Sequence, residues 1–284
     1  MLLSYQELLN YDIPEVRQRY SQRDTILYAL SVGLGQDPMD AGQLRYVDEQ
    51  FGPNVLPSMA VILGYPGFWL NAPEIGADVT RLLHGEQSVK LLASLPHEGE
   101  VIGKTRVVEV VDKGDKGLLV YSEKELRDAS NGRILARTSA TTVLRGDRGM
   151  PGAPTQARVA EQLPNTPPTT TSIVGTRPEQ ALFYRQNGDR NPLHSDPKVA
   201  KLAGYDRPIL HGLCSFAMVN HAVSRCLKKT GDGEFDHVFA RFSAPVFPGE
   251  SIQVDVWDDG SFRAKALERS VVVLQGRQHN HRTD

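Results

Sequence analysis

The 284-residue sequence has little cysteine, no excess of positive charge and no long apolar run. Its two cysteines, Cys214 and Cys226, lie twelve positions apart in one apolar segment. In a helix that spacing separates them by about 18 Å, beyond disulfide reach, so they read as core thiols in a reducing compartment. Lysine and arginine total 32 against 34 aspartates and glutamates, a net charge of −2. That balance leaves no basic surplus for phosphates and excludes nucleic acid as the main partner. The most apolar stretch, Leu56 to Leu70, is broken by Pro57, Gly64, Pro66 and Gly67 and is too short to cross a bilayer. Glu7, Asp12, Glu15 and Arg17 interrupt the N-terminus, and residues 278–284 carry no peroxisomal or retention tripeptide. The sequence therefore predicts a soluble, cytoplasmic protein with no membrane partner. With 40% hydrophobic and 23% charged residues, disorder is excluded as well.

What is present is a repeated pattern. Gly146, Gly149, Pro151, Gly152, Pro154, Pro164, Pro167 and Pro168 punctuate a stretch without apolar periodicity. That stretch reads as a linker over residues 146–170, dividing the chain into 1–145 and 171–284. In the first part, Gly99-Glu100 opens an alternating stretch that stops at Asp112-Lys113-Gly114. Strands are predicted to follow at 117–121 and 134–144. In the second, Gly249-Glu250 opens another that stops at Asp258-Asp259-Gly260, with strands predicted at 262–267 and 271–275. Period-2 runs ending at Asp/Gly turns are hairpins, and their repetition across a linker predicts duplicated α+β units. Thr176-x-x-Glu179 has the form of a capping box, with a helix running to about Gln186. Asp196-Pro197 caps a short helix ending at Gly204. From Gly212 to Leu227 the sequence is apolar on most sides, as in a helix enclosed by a sheet. Before residue 80 only a weaker helix after Asp24 stands out.

Chemistry concentrates in Tyr184 to His194. Asp189 and His194 lie five positions apart, held by Gly188, which tolerates positive φ, and Pro192, whose φ is fixed. A carboxylate and an imidazole across a rigid turn can address one small molecule between them, and Asn191 adds an amide. The same residues also suit an ordinary turn in which Asp189 and Asn191 bond their own backbone. A calcium loop is excluded, since Leu193, His194 and Ala200 stand where a ligand, glycine and glutamate are required. No His/Cys spacing suggests zinc, so no metal is expected. Gly212 opens the apolar helix, where its N–H lacks an intrahelical acceptor and could serve as an oxyanion donor; a purely packing role is equally compatible. Gly33-x-Gly35 lacks the third glycine and the preceding strand of a nucleotide fingerprint. Leu83-His84-Gly85 repeats Leu210-His211-Gly212, but a strand follows one and a helix the other, so His211 is given no role. His221 and His237 read as helix and strand residues.

The run Gly188-Asp189-Arg190-Asn191-Pro192-Leu193-His194 resembles the signature of the R-specific enoyl-CoA hydratases (hydratase 2, MaoC-like). Leu202-Ala203-Gly204-Tyr205, Pro208 to Cys214, Ala240-Arg241-Phe242 and Pro248-Gly249 resemble the rest of that domain. His84-Gly85-Glu86-Gln87, Asp112-Lys113-Gly114 and Tyr121 to Leu126 are similar to the N-terminal repeat of the two-domain form, as in the hydratase domain of peroxisomal multifunctional enzyme type 2. The resemblance covers nearly the whole chain.

It implies an α+β double hot-dog: two antiparallel sheets, each wrapping a helix, with the long central helix in the C-terminal repeat. It implies a catalytic pair, Asp189 and His194, with Asn191 beside them and Gly212 as oxyanion donor. His84, Gly85, Lys113 and Phe242 match acyl-CoA contacts in the family, and Arg190, Pro192 and Leu193 belong to the same substrate site. The N-terminal repeat lacks Asp-x-Asn-Pro-x-His, so one site per chain is expected, with residues 1–145 as a degenerate acyl-chain and CoA pocket. Asn187 departs from the family pattern, where a small residue is commoner, and is read as a helix cap. The implied reaction is hydration of trans-2-enoyl-CoA to (3R)-3-hydroxyacyl-CoA, with no cofactor beyond the coenzyme A of the substrate, in a homodimer. Two alternatives stay open: a hydratase or dehydratase of a specialised acyl thioester, and a non-catalytic acyl-CoA-binding subunit.

Overall fold

The computed structural model describes residues 2–51, 54–158, 162–227 and 235–280. The chain end inspected for a targeting tripeptide, 282–284, lies outside the described residues, as do 159–161 of the linker. The strands are β1 Val16–Tyr20, β2 Leu82–Leu91, β3 Gly99–Asp112, β4 Leu118–Asp128, β5 Ile134–Leu144, β6 Thr170–Gly175, β7 Phe235–Phe242, β8 Ser251–Val256, β9 Ser261–Ala266 and β10 Val271–Asn280. The α-helices are α1 Tyr5–Leu9, α2 Gln22–Ser31, α3 Ala41–Val47, α4 Gln180–Tyr184, α5 Pro197–Leu202 and α6 Gly212–Leu227.

Both hairpin series form where the alternation placed them. Asp112 accepts the Gly114 N–H at 2.8 Å, and Asp259 accepts the Ser261 N–H at 2.9 Å, so each turn is closed by its own aspartate. The two antiparallel sheets of the double hot-dog meet edge to edge. β2 pairs with β7 from Glu86↔Arg241 to Lys90↔His237, giving one ten-stranded sheet in the order β1-β3-β4-β5-β2-β7-β10-β9-β8-β6. Glu86 and Arg241 bond across that seam, with Nε to Oε1 at 2.9 Å.

The C-terminal sheet wraps α6, whose Cys214, Phe216, Ala217, Met218, Val219, Ala222 and Val223 are all buried. These pack with Val254, Phe262, Ala264 and Leu274. Burying one such large side chain contributes about 1.5–3 kcal/mol, enough to fix a helix apolar on nearly every side. The N-terminal sheet is covered instead by a five-residue 3-10 helix, Pro57–Val61, against β2 and β5. Both cysteines lie on α6 as free thiols.

The helix predicted from Thr176 starts later. Thr176 donates its hydroxyl to the Glu250 carbonyl at 2.8 Å and accepts the Gly249 N–H, so it ties β6 to the turn before β8 and caps nothing. Gln180 takes up the N-terminal contact by accepting the Arg177 N–H, and α4 gives way to a 3-10 turn at Arg185–Asn187.

Candidate active site

The loop between α4 and α5 carries the Asp/His segment. Gly188 ends the 3-10 turn at φ +115°, which a side chain would strain. Asn187 holds this corner by donating to the Tyr184 carbonyl at 2.9 Å and to the Ser31 hydroxyl of α2 at 2.8 Å. The helix-cap reading of Asn187 thus gains a second function, a tie to the N-terminal half. The ordinary-turn reading describes real bonds as well: Asp189 accepts the Asn191 N–H at 3.2 Å, and Asn191 accepts the Leu193 N–H at 3.0 Å. Asn191 therefore caps the 3-10 turn Pro192–His194 with its carbonyl oxygen and sets the direction of His194. Arg190, Asn191 and Pro192 are exposed, and the Arg190 carbonyl accepts from Arg185.

His194 is 9% exposed. Its Nδ1 lies 2.9 Å from the Ile209 carbonyl, an acceptor only, so Nδ1 carries the proton and Nε2 keeps a free lone pair. Burial lowers its pKa below the ordinary histidine value, so the imidazole is neutral at neutral pH.

His211, which sequence reasoning passed over, belongs to this group. Its ring stacks on His194 with centroids 3.8 Å apart, and its Nε2–H donates to the Asp189 main-chain oxygen at 3.2 Å. Burial, and then the neighbouring His194, lower its pKa to about 4. One ligand atom from each of Asp189, His194 and His211 lies within 4.8 Å of the others, a set able to approach one water or one cation. Two of the four ring nitrogens are already committed to carbonyls. Tyr184 closes the back of the site, its ring 4.9 Å from His211. Its buried hydroxyl meets no partner among the described residues, and burial pushes the phenol pKa well up. Tyr65, from the N-terminal half, is half-exposed and within reach of the Asp189 charge; partial burial and then that charge raise its phenol pKa.

Gly212 opens α6 one residue beyond His211. The Cys214 and Ser215 N–H groups return to the His211 carbonyl, whereas among the described residues no acceptor meets the Gly212 N–H. A Cβ at 212 would stand 3.2 Å from the Phe242 ring. Phe242 in turn packs on His84, centroids 4.8 Å apart. Gly85 occupies a bulge in β2 between His84 and Glu86, where a Cβ would lie 3.0 Å from Val143. The bulge re-aims His84, whose pKa burial lowers to about 4. His84, Gly85, Phe242 and Gly212 are thus brought together at the seam between the halves. Lys113 is at the same end of the sheet, since Asp112, Leu118, Leu144 and Leu82 stand in one row. It sits three strands away, about 14 Å from β2 at the usual strand spacing.

Residues 18–146 match the MFE-2 hydratase 2 N-terminal domain family, and residues 156–279 match the MaoC like domain family. The chain belongs to the MaoC-like hydratase 2 family. It is 35% identical to the peroxisomal enoyl-CoA hydratase 2 of Arabidopsis thaliana, over 95% of this chain and 93% of that one. It is 38% identical to 3-hydroxyacyl-thioester dehydratase Y of Mycobacterium tuberculosis, over 84% of this chain and 82% of that one. Among solved structures it resembles a MaoC-like dehydratase of Phytophthora capsici, with TM-score 0.84, 31% identity and coverage of 98% and 99%. Membership in this hydratase 2 family makes the protein a hydro-lyase. Among the described residues, no helix is long and apolar enough to cross a membrane.

Proposed function

We propose that the protein adds water across trans-2-enoyl-CoA to give (3R)-3-hydroxyacyl-CoA, reversibly, and that Asp189 and His194 activate that water. The observation carrying this reading is the free Nε2 of a neutral His194 within one cluster with the Asp189 carboxylate, next to the Gly212 N–H, which meets no acceptor among the described residues. His194 Nε2 takes the proton from water as its oxygen attacks C3, while Asp189 orients the water. Negative charge then builds on the thioester oxygen. The Gly212 N–H at the start of α6 faces that charge, and one such donor is worth about 3–4 kcal/mol in the transition state. The proton returns at C2, so atoms balance and no cofactor takes part beyond the coenzyme A of the substrate.

In this reading residues 171–284 are the catalytic repeat, 146–170 the linker, and 1–145 the acyl-chain and CoA pocket. His84, Gly85 and Phe242 flank the thioester, Arg190, Pro192 and Leu193 line the entrance, and Lys113 meets a CoA phosphate as a point charge. The enzyme works in the cytoplasm as a homodimer. The experiment is hydration of butenoyl-, octenoyl- and hexadecenoyl-CoA with chiral analysis of the product. The (3R) alcohol supports the reading, and the (3S) alcohol or no turnover by folded protein refutes it.

A further inference from the structure

Lys124 on β4 is 4% exposed, and among the described residues no carboxylate pairs with it. Its Nζ donates to the main-chain carbonyls of Ala60 at 3.0 Å, Val61 at 2.7 Å and Leu63. These carbonyls close the 3-10 helix Pro57–Val61 and the turn after it. Three donors meet three acceptors, the full capacity of an ammonium, at the negative end of the short helix. Burial alone lowers the pKa of this lysine to about 7, while three carbonyls aimed at Nζ favour its charged form. An apolar side chain would fill this place on the sheet without burying a charge, so what the lysine adds is the clamp.

The clamp holds the feature that distinguishes the two halves. α6 runs sixteen residues across its sheet, whereas the covering helix of the N-terminal sheet stops after five. Gly64, at φ +58°, then turns the chain onto β3, where a Cβ on Gly103 would stand 2.1 Å from the Gly64 oxygen. Strand register shows what lies beneath. His84, Thr142 and Val120 share a row, as do Gln87, Ala140 and Ser122, and then Val89, Thr138 and Lys124. On β4 and β5, the row between the His84 row and the Lys124 row carries only small side chains on that face, Ser122 and Ala140, and Thr138 stands beside Lys124. Along β4 the distance from Val120 to Lys124 is about 14 Å at 3.4 Å per residue. An acyl chain leaving the site beside His84 along this strip would reach the clamp once it is of medium length.

We propose that Lys124 is the positioning residue that sets acyl-chain-length preference, by fixing residues 60–63 as a closed turn and keeping the strip beneath them open. This rests on the reading of residues 1–145 as the acyl-chain pocket. The test measures kcat and KM on butenoyl-, octenoyl- and hexadecenoyl-CoA for the wild type and Lys124→Met. The expected result is a KM for hexadecenoyl-CoA raised at least tenfold, with kcat and the butenoyl-CoA constants within twofold of wild type. Equal losses at all three lengths, or no change at any, would overturn the role of Lys124. If the wild type itself does not accept hexadecenoyl-CoA, the pocket reading fails and the proposal with it, an outcome visible before any variant is made. If Lys124→Met does not fold, Lys124→Gln, which keeps two N–H donors, carries the same comparison.

Discussion

The imidazoles of His194 and His211 lie face to face, centroids 3.8 Å apart and 26° from parallel. Each ring holds its proton toward a main-chain carbonyl, His194 to Ile209 and His211 to Asp189. The Ile209 carbonyl fixes the tautomer of the base, while the His211 ring covers its face and the His211 Nε2–H holds the loop that carries Asp189. His211→Ala removes the stacked ring and the bond to the Asp189 carbonyl while keeping the Asp189 carboxylate, the His194 imidazole and its bond to Ile209. Misplacing a catalytic group by about 1 Å can cost on the order of 10²-fold, and a loss of about 10–100-fold in kcat is predicted. Water admitted beside His194 relieves its burial, so the acid limb of the pH–rate profile should move up toward 6.5. A kcat loss with an unmoved limb would assign His211 to packing alone.

The pH dependence of the wild type follows from the same burial. His194 must be neutral to accept a proton, and its pKa lies below the ordinary value. The acid limb of kcat/KM is therefore predicted below pH 6.5, measured on octenoyl-CoA across pH 4 to 8.

Stability should fall over the same range. His84 and His211 have folded pKa values of about 4, against about 6.5 in the unfolded chain. Between those values the unfolded state binds more protons, so their contribution is complete above about 6.5 and is lost as pH falls toward 4. Thermal melts should show Tm declining through that window. His84→Phe should decline less steeply than the wild type.

Gly212 tests the oxyanion assignment. An added methyl meets the Phe242 ring at 3.2 Å and crowds the approach to the N–H. Gly212→Ala should lower kcat/KM by about 10²-fold, the scale of losing one oxyanion donor. Phe242→Ala in the same chain should restore part of it. No recovery would indicate that the ring is not what the methyl displaces.

Arg241 tests the seam between the halves. It bonds Glu86, whose side chain is only 14% exposed. Arg241→Met leaves that carboxylate unpaired and should destabilise the fold by roughly 2–3 kcal/mol, measured by urea denaturation.

The strands were legible because their turns end in Asp/Gly pairs and because β3 keeps period-two burial from Val101 to Val107, beyond which a bulge at Val107/Glu109 breaks the alternation. The ends of β3 at Asp112 and β8 at Val256 fall at or within two residues of those turns. α6 was legible because no other element buries apolar residues on so many sides. The motif from Gly188 to His194 was legible through its resemblance to the hydratase 2 signature, since Asp189 and Asn191 by themselves suit an ordinary turn and do make its bonds. Thr176 misled because a capping box and a strand-end tie use the same hydroxyl. His211 was hidden because its partners lie 17 and 22 positions away, and no local pattern encodes a ring stack. Its signal was the repeated Leu-His-Gly triplet, set aside because the elements after it differ, although His84 and His211 both lie at the seam. The short cover of the N-terminal sheet could have been suspected from Gly64 and Pro66, which stop a helix. Its clamp, Lys124, looks in sequence like any solvated lysine.

The central claim is that Asp189 and His194 activate water for addition to an enoyl thioester. The direct measurement is loss of enoyl-thioester absorbance on octenoyl-CoA by the wild type and by Asp189→Asn, with folding of both checked by circular dichroism. The predicted result is turnover by the wild type and a loss of about 10²–10⁴-fold in the variant, the scale of general acid–base assistance. A folded Asp189→Asn that hydrates at the wild-type rate would contradict it.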